Sequence, residues 1–151
     1  DGWEISGCPV NGPAIDAQAT DAVVAWFTGA DNIATIKVAF SEDSGVTFGP
    51  AFKVDSGESV GRVGTLMLAT GDALISWVEW TSDGEVLMLC RATKNDGCVA
   101  RQTITEHAAS GSFNFPKLAR SGDTIYLVWT QPISSEAGFS NIRMVVMDLS
   151  D

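Results

Sequence analysis

The chain has 151 residues, 45% of them hydrophobic and 19% charged, which excludes a disordered chain and leaves enough apolar side chains for one buried core. Nineteen acidic residues against nine basic ones give a formal charge of −10, which excludes a nucleic-acid binder built on clustered Lys and Arg. No apolar run is long enough to span a membrane, no secretion signal is visible, and three cysteines with one histidine do not make a zinc site.

Taken in chain order, residues 1–8 begin without Met, as an excised or processed chain would, and DGWEI reads as a strand belonging to a neighbouring unit. Residues 9–57 form a first unit: a short apolar strand after Asn11, the turn QATD, a β-rich strand ending at Trp26, the loop TGADN, the strand IATIKVAF, the turn SEDSGVTF and a last strand in PAFKVD. In SEDSGVTF, Gly45 suits a positive φ, and the oxygens of Ser41 and Asp43 can turn back onto nearby backbone N–H groups. Residues 58–106 repeat the plan, with GRVGTLMLATGDALISWVEW ending at Trp77 and Trp80, then EVLMLCR and the worn turn TKNDG. Cys90 and Cys98 flank that turn, and either a cross-hairpin disulfide or two reduced buried thiols fit the spacing. Residues 107–151 give a third copy around Trp129 that lacks its last strand. The three tryptophans stand 51 and 52 residues apart. Four antiparallel strands repeating at that period predict an all-β chain of three propeller blades rather than a β-sandwich.

The spacing Ser41-x-Asp43-x-Gly45-x-Thr47-Phe48 resembles the Asp-box of bacterial neuraminidase repeats, and the blade pattern is similar to sialidase-like propellers. The resemblance implies a six-bladed ring, with the Asp-box as a structural turn away from the functional face. Three blades would then be half a ring, either a fragment or one half of a homodimer in which each copy's first strand completes the third blade of the other.

Alternating strand polarity puts the start of each first strand and the end of each second strand on one face, near the axis. The repeat makes Asn11, Arg62 and Asn114 equivalent, and likewise Thr28, Glu79 and Gln131, so these six polar residues are expected around the mouth of a central channel. The resemblance matches Arg62 to the arginine that grips a sialic acid carboxylate, as a guanidinium can with two parallel hydrogen bonds. Glu79 would orient sugar hydroxyls, and the plain alternative is an Arg62–Glu79 ion pair. Trp80 breaks the repeat and could stack on a sugar. The family's tyrosine nucleophile has one candidate, Tyr126, placed mid-strand as packing; neither an acid nor a three-arginine cluster can be assembled. The expected function is therefore a non-catalytic module binding a glycan or carboxylate ligand, needing no cofactor. A sialidase-type hydrolase completed by further blades and a protein-interaction scaffold are the alternatives. A secreted or periplasmic location is expected.

Overall fold

The computed structural model describes residues 1–7, 10–108, 113–133 and 139–149, with the backbone alone for 106–108; Cys8 lies outside them. Among these residues eleven strands form three antiparallel sheets. Sheet 1 holds β1 (Ala14–Gln18), β2 (Asp21–Thr28), β3 (Thr35–Ser41) and β4 (Phe52–Lys53) in that order. Sheet 2 holds β5 (Ser59–Met67), β6 (Ala73–Thr81), β7 (Gly84–Thr93) and β8 (Gly97–Ala108). Sheet 3 holds β9 (Lys117–Ser121), β10 (Thr124–Pro132) and β11 (Ser140–Asp148), with β11 on its outer edge.

Each sheet is a meander because its turns carry residues that accept tight reversals. The turn between β9 and β10 uses Gly122 at φ 60°, and the turn into β8 uses Gly97 at φ 74°. In the latter, the Thr93 hydroxyl accepts the Asp96 N–H at 2.9 Å.

The sheets stack face to face, and sheet 2 is covered on both sides. Ile75, Trp77, Met88 and Cys90 pack on Val23, Ala25, Ile36 and Val38 of sheet 1. Their alternates Val78 and Leu87 pack on Leu127, Trp129 and Phe113 at sheet 3. This double burial explains the near-continuous apolar runs of β6 and β7, because a strand with one wet face would alternate.

One expectation changes and one open alternative is resolved. The fourth strand of the first unit shrinks to two residues because Asp55 ends it. Its buried carboxylate accepts the Thr35 hydroxyl and the Ile36 N–H, both at 2.6 Å, and the Gly57 N–H at 2.9 Å. Cys90 and Cys98 are joined by a disulfide across the β7–β8 hairpin. Residues 1–7 carry no strand in the single chain. Instead the Asp1 carboxylate accepts the Trp26 indole N–H at 2.8 Å, and Trp3 meets Phe27 edge to face at 5.5 Å.

Because Ile75 is fully buried between two sheets, Ile75→Ala should cost about 2–5 kcal/mol, while Val46→Ala, at an exposed turn, should cost less than about 0.5 kcal/mol. Urea unfolding of both variants checks this.

Candidate functional site where the inner strands meet

β5 packs between β1 and β9, and the starts of these three strands surround a cleft of 310 Å³ lined by residues that include Pro13, Ile15, Val63, Thr65, Phe115 and Lys117. In the sequence these stand just after Asn11, Arg62 and Asn114. Phe115 is 39% exposed. The Thr65 hydroxyl is buried and has no hydrogen-bond partner among the described residues.

The entry to β5 is irregular. Gly57, Glu58, Gly61 and Arg62 all have positive φ, and the pairing with β6 slips between Ser59 and Gly64. For a non-glycine residue such as Arg62, at φ 55°, that conformation is strained and survives only where neighbours enforce it. Asn11 is the enforcing neighbour. Its amide donates to the Val60 carbonyl at 2.9 Å, and its oxygen accepts the Arg62 N–H at 3.0 Å. A Cβ at position 61 would fall 2.5 Å from the Asn11 side chain, so only glycine fits.

The Arg62 guanidinium donates to the Glu85 carboxylate at 3.0 Å, and the same carboxylate oxygen accepts the Phe113 N–H at 2.7 Å. Polar contacts therefore run from Asn11 before sheet 1, through Arg62 and Glu85 in sheet 2, to Phe113 before sheet 3. Glu85 is the residue the sequence reading missed. The signal was there: a carboxylate in β7 followed by the unbroken apolar run VLMLC.

The expected Arg62–Glu79 pair is not formed. Glu79, 4% exposed, accepts the Trp77 indole N–H at 2.7 Å, the Ser56 N–H at 2.9 Å and the Ser56 hydroxyl at 2.8 Å. Its carboxylate is consumed in fastening the connection between sheets 1 and 2. Thr28 is also buried, its hydroxyl accepting the Ala30 N–H at 3.2 Å. Gln131 is half-buried near the end of β10, while Asn114 is exposed beside Phe115. Trp80 is 51% exposed, and its N–H donates to Glu58 at the mouth end of β5. Of the six mouth residues, Asn11 and Arg62 are the pair joined by a hydrogen bond among the described residues.

No protein-family model and no curated protein matches this sequence. Solved structures do. A xylan β-1,4-xylosidase from Bacillus halodurans C-125 superposes with TM-score 0.60 at 10% identity, covering 89% of this chain and 27% of that one. A GH43B protein of a Bacteroides ovatus xyloglucan locus gives 0.51 at 14% identity, covering 89% and 25%. An α-L-arabinofuranosidase from Clostridium thermocellum gives 0.50 at 16% identity, covering 90% and 46%. The fold is that of a β-propeller. The chain spans under half the length of each of these structures, and the likeness carries the fold alone. Sheets 1, 2 and 3 are successive blades, and the cleft lies on the axial side where blades meet.

The Asp-box-like turn lies on the far rim of blade 1. The Asp43 carboxylate accepts the Thr47 hydroxyl at 2.6 Å, the Thr47 N–H at 2.8 Å and the Ser41 hydroxyl at 2.8 Å. Ser41 in turn accepts the Gly45 N–H at 2.9 Å, with Gly45 at φ 83°, as the sequence predicts. Phe48 is 41% exposed on the wall of a second cavity of 430 Å³. The Thr47 hydrogen bonds, helped by Ser41, hold Asp43 down to about pKa 2. At Asp55, burial pushes the pKa up, but the bonds from Thr35 and Ile36 and the nearby Lys53 outweigh it, leaving it lowered. Lys94 is raised, chiefly by Glu42, which it meets at 2.7 Å from blade 2.

Two outcomes are expected. Arg62→Ala removes the guanidinium from the buried Glu85 carboxylate and should cost about 3–5 kcal/mol. Adding Glu85→Gln should recover part of that loss, so a double-mutant cycle should show strong non-additivity. Asp43 has a folded pKa below its unfolded value of 3.8, so its contribution is present above pH 4 and is lost as pH falls toward 2. The melting temperature of the parent chain should therefore fall further over that window than that of Asp43→Asn.

Proposed function

We propose that the chain is a non-catalytic carbohydrate-binding segment of a β-propeller, with its ligand in the axial cleft. The observation that carries this reading is the cleft's combination of an exposed aromatic ring, Phe115, with the exposed Lys117 two residues on. A sugar ring offers C–H groups to the first, and hydroxyls or a carboxylate to the second. Lys117 makes no ion pair among the described residues, which suits it to a ligand carboxylate, whereas Arg62 is committed to Glu85. Asn11, Arg62, Asn114 and Trp80 then shape the mouth, while Thr28, Glu79 and Gln131 support it from behind. The xylosidase and arabinofuranosidase neighbours act on glycans, which supports the ligand class.

Against catalysis by this chain alone stands the engagement of its buried carboxylates. Glu79, Glu85 and Asp55 each accept protein donors, and the cleft is lined by no carboxylate among the described residues. Hydrolysis of the retaining or inverting kind needs two opposed carboxyl groups. The ordered Ser41–Asp43–Thr47 turn favours one second reading, a sialidase-type hydrolase whose acid and nucleophile come from elsewhere. The Cys90–Cys98 disulfide suits an exported chain.

Thermal unfolding with xylotetraose, arabinotetraose and N-acetylneuraminic acid tests the reading. A ligand at ten times its Kd adds about 1.4 kcal/mol, a rise of about 3–6 °C for a chain of this size. Phe115→Ala should abolish the rise for neutral sugars, and Lys117→Ala for the acidic one. No shift with any of the three would leave the scaffold role, and turnover of a fluorogenic sialoside would establish the hydrolase.

A further inference from the structure

Both joints inside the chain follow one rule. Cross-strand register puts Trp77 on the same face as Ile75, Met88 and Cys90, and that face lies on sheet 1. Trp129 shares its face with Leu127, Val145 and Met147, and that face lies on sheet 2. Each joint therefore sets the tryptophan face of one blade on the opposite face of the blade before it.

The two faces left over are the two halves of the same joint. Sheet 1 leaves its tryptophan face uncovered: Trp26, Val24 and its register partner Ile15, with Ile15 67% exposed. Sheet 3 leaves its opposite face uncovered: Ile142, Met144 and Val146 are 78%, 57% and 52% exposed, beside their register partners Thr130, Val128 and Tyr126. The sheet 3 face is apolar along β11, while the sheet 1 face also carries Lys37 opposite Trp26, with Asp1 on the Trp26 indole; an exposed apolar row like that of β11 marks a surface for association.

We propose that two copies of this chain associate head to tail, the sheet 3 face of each seated on the sheet 1 face of the other, closing a six-bladed ring. A joint that occurs twice within the chain then occurs twice more between copies. A heterologous contact of this kind, made reciprocally by two copies, leaves no unpaired face.

The axial cleft, walled here by three inner strands, becomes enclosed by six. This inference does not depend on which ligand the cleft takes, because its test reads mass rather than binding.

The experiment is light scattering behind size exclusion, on the 15.9 kDa parent chain and two variants that place a carboxylate on each free face, Met144→Glu and Val24→Glu. The parent should run at twice the chain mass. Each variant alone should run as a monomer with an unchanged β-sheet circular dichroism spectrum. Mixed in equal amounts, the two should re-associate, because one intact joint remains between them, and at least tenfold more weakly than the parent. A monomeric parent at 100 µM, or an open series of larger species, overturns the proposal. So does a parent dimer that Met144→Glu breaks and a folded Val24→Glu leaves intact, since that pattern means sheet 3 pairs with itself. Should Val24→Glu lose its sheet spectrum, Ile15→Glu at the exposed edge of the same face replaces it, with the same expectations.

Discussion

A β-sheet that is apolar on both faces must be covered twice, and sheet 2 is the sheet on which everything else in this chain rests. Ile75 and Trp77 point one way from β6, Val78 points the other, and all three are fully buried. Apolar burial is worth roughly 25 cal/mol per Å², and a buried tryptophan is among the largest single contributions a chain can make. Sheets 1 and 3 are held in place by this demand. Their own strands show the one-sided alternation expected of outer layers, most plainly in β10, where buried Ile125, Leu127 and Trp129 alternate with half-exposed neighbours.

Stacking alone does not fix how one sheet is turned against the next, because apolar contact is non-directional. Buried carboxylates supply the direction. Asp55 fastens the exit from sheet 1, Glu79 binds the following Ser56 to sheet 2, and Glu85 ties sheet 2 to the entry of sheet 3. Each lies almost wholly out of water and would be prohibitively costly there without donors. Each has donors that lie far along the chain, so its cost is met only when the joint has the right geometry. Arg101 adds a cation to the same joint, its guanidinium reaching the Val54 carbonyl and lying 5.6 Å from the Trp77 ring centre. These groups convert a slippery apolar stack into one arrangement, and of the mouth residues chosen from the repeat Asn11, Thr28, Arg62 and Glu79 are engaged in structure.

The repeat was legible because it rests on local physics. Tryptophan spacing, turn glycines and strand alternation each act over a few residues, and the sheets begin and end close to where those signals fall. What stayed hidden was pairing in space. Arg62 and Glu79 are equivalent to plausible partners in a linear pattern, yet Ser56 and Trp77 reach Glu79 first and Glu85 reaches Arg62. The length of β4 was hidden for the same reason, since Asp55 ends it through bonds to Thr35 and Ile36, twenty residues earlier. The cleft itself was half legible. Asn11, Arg62 and Asn114 mark its height along the axis, but Thr65, Phe115 and Lys117, which line it, carry no distinguishing pattern in the sequence.

The strain at the start of β5 links these two levels. Positive φ at both Glu58 and Arg62 is unfavourable, and the Asn11 amide holds the segment in that shape from the preceding sheet. The bulge it creates sets β5 out of simple register with β6 between Ser59 and Gly64, immediately before the residues that line the cleft. Two one-residue slips, one on each side of Gly61, cancel in side-chain parity, so Thr65 stays opposite Ile75 and shares the face toward sheet 1 with Val63 and Met67. What the irregularity changes is the backbone between Ser59 and Gly64. It depends on Asn11, a residue outside every strand, and on Gly61, which must lack a side chain for Asn11 to reach.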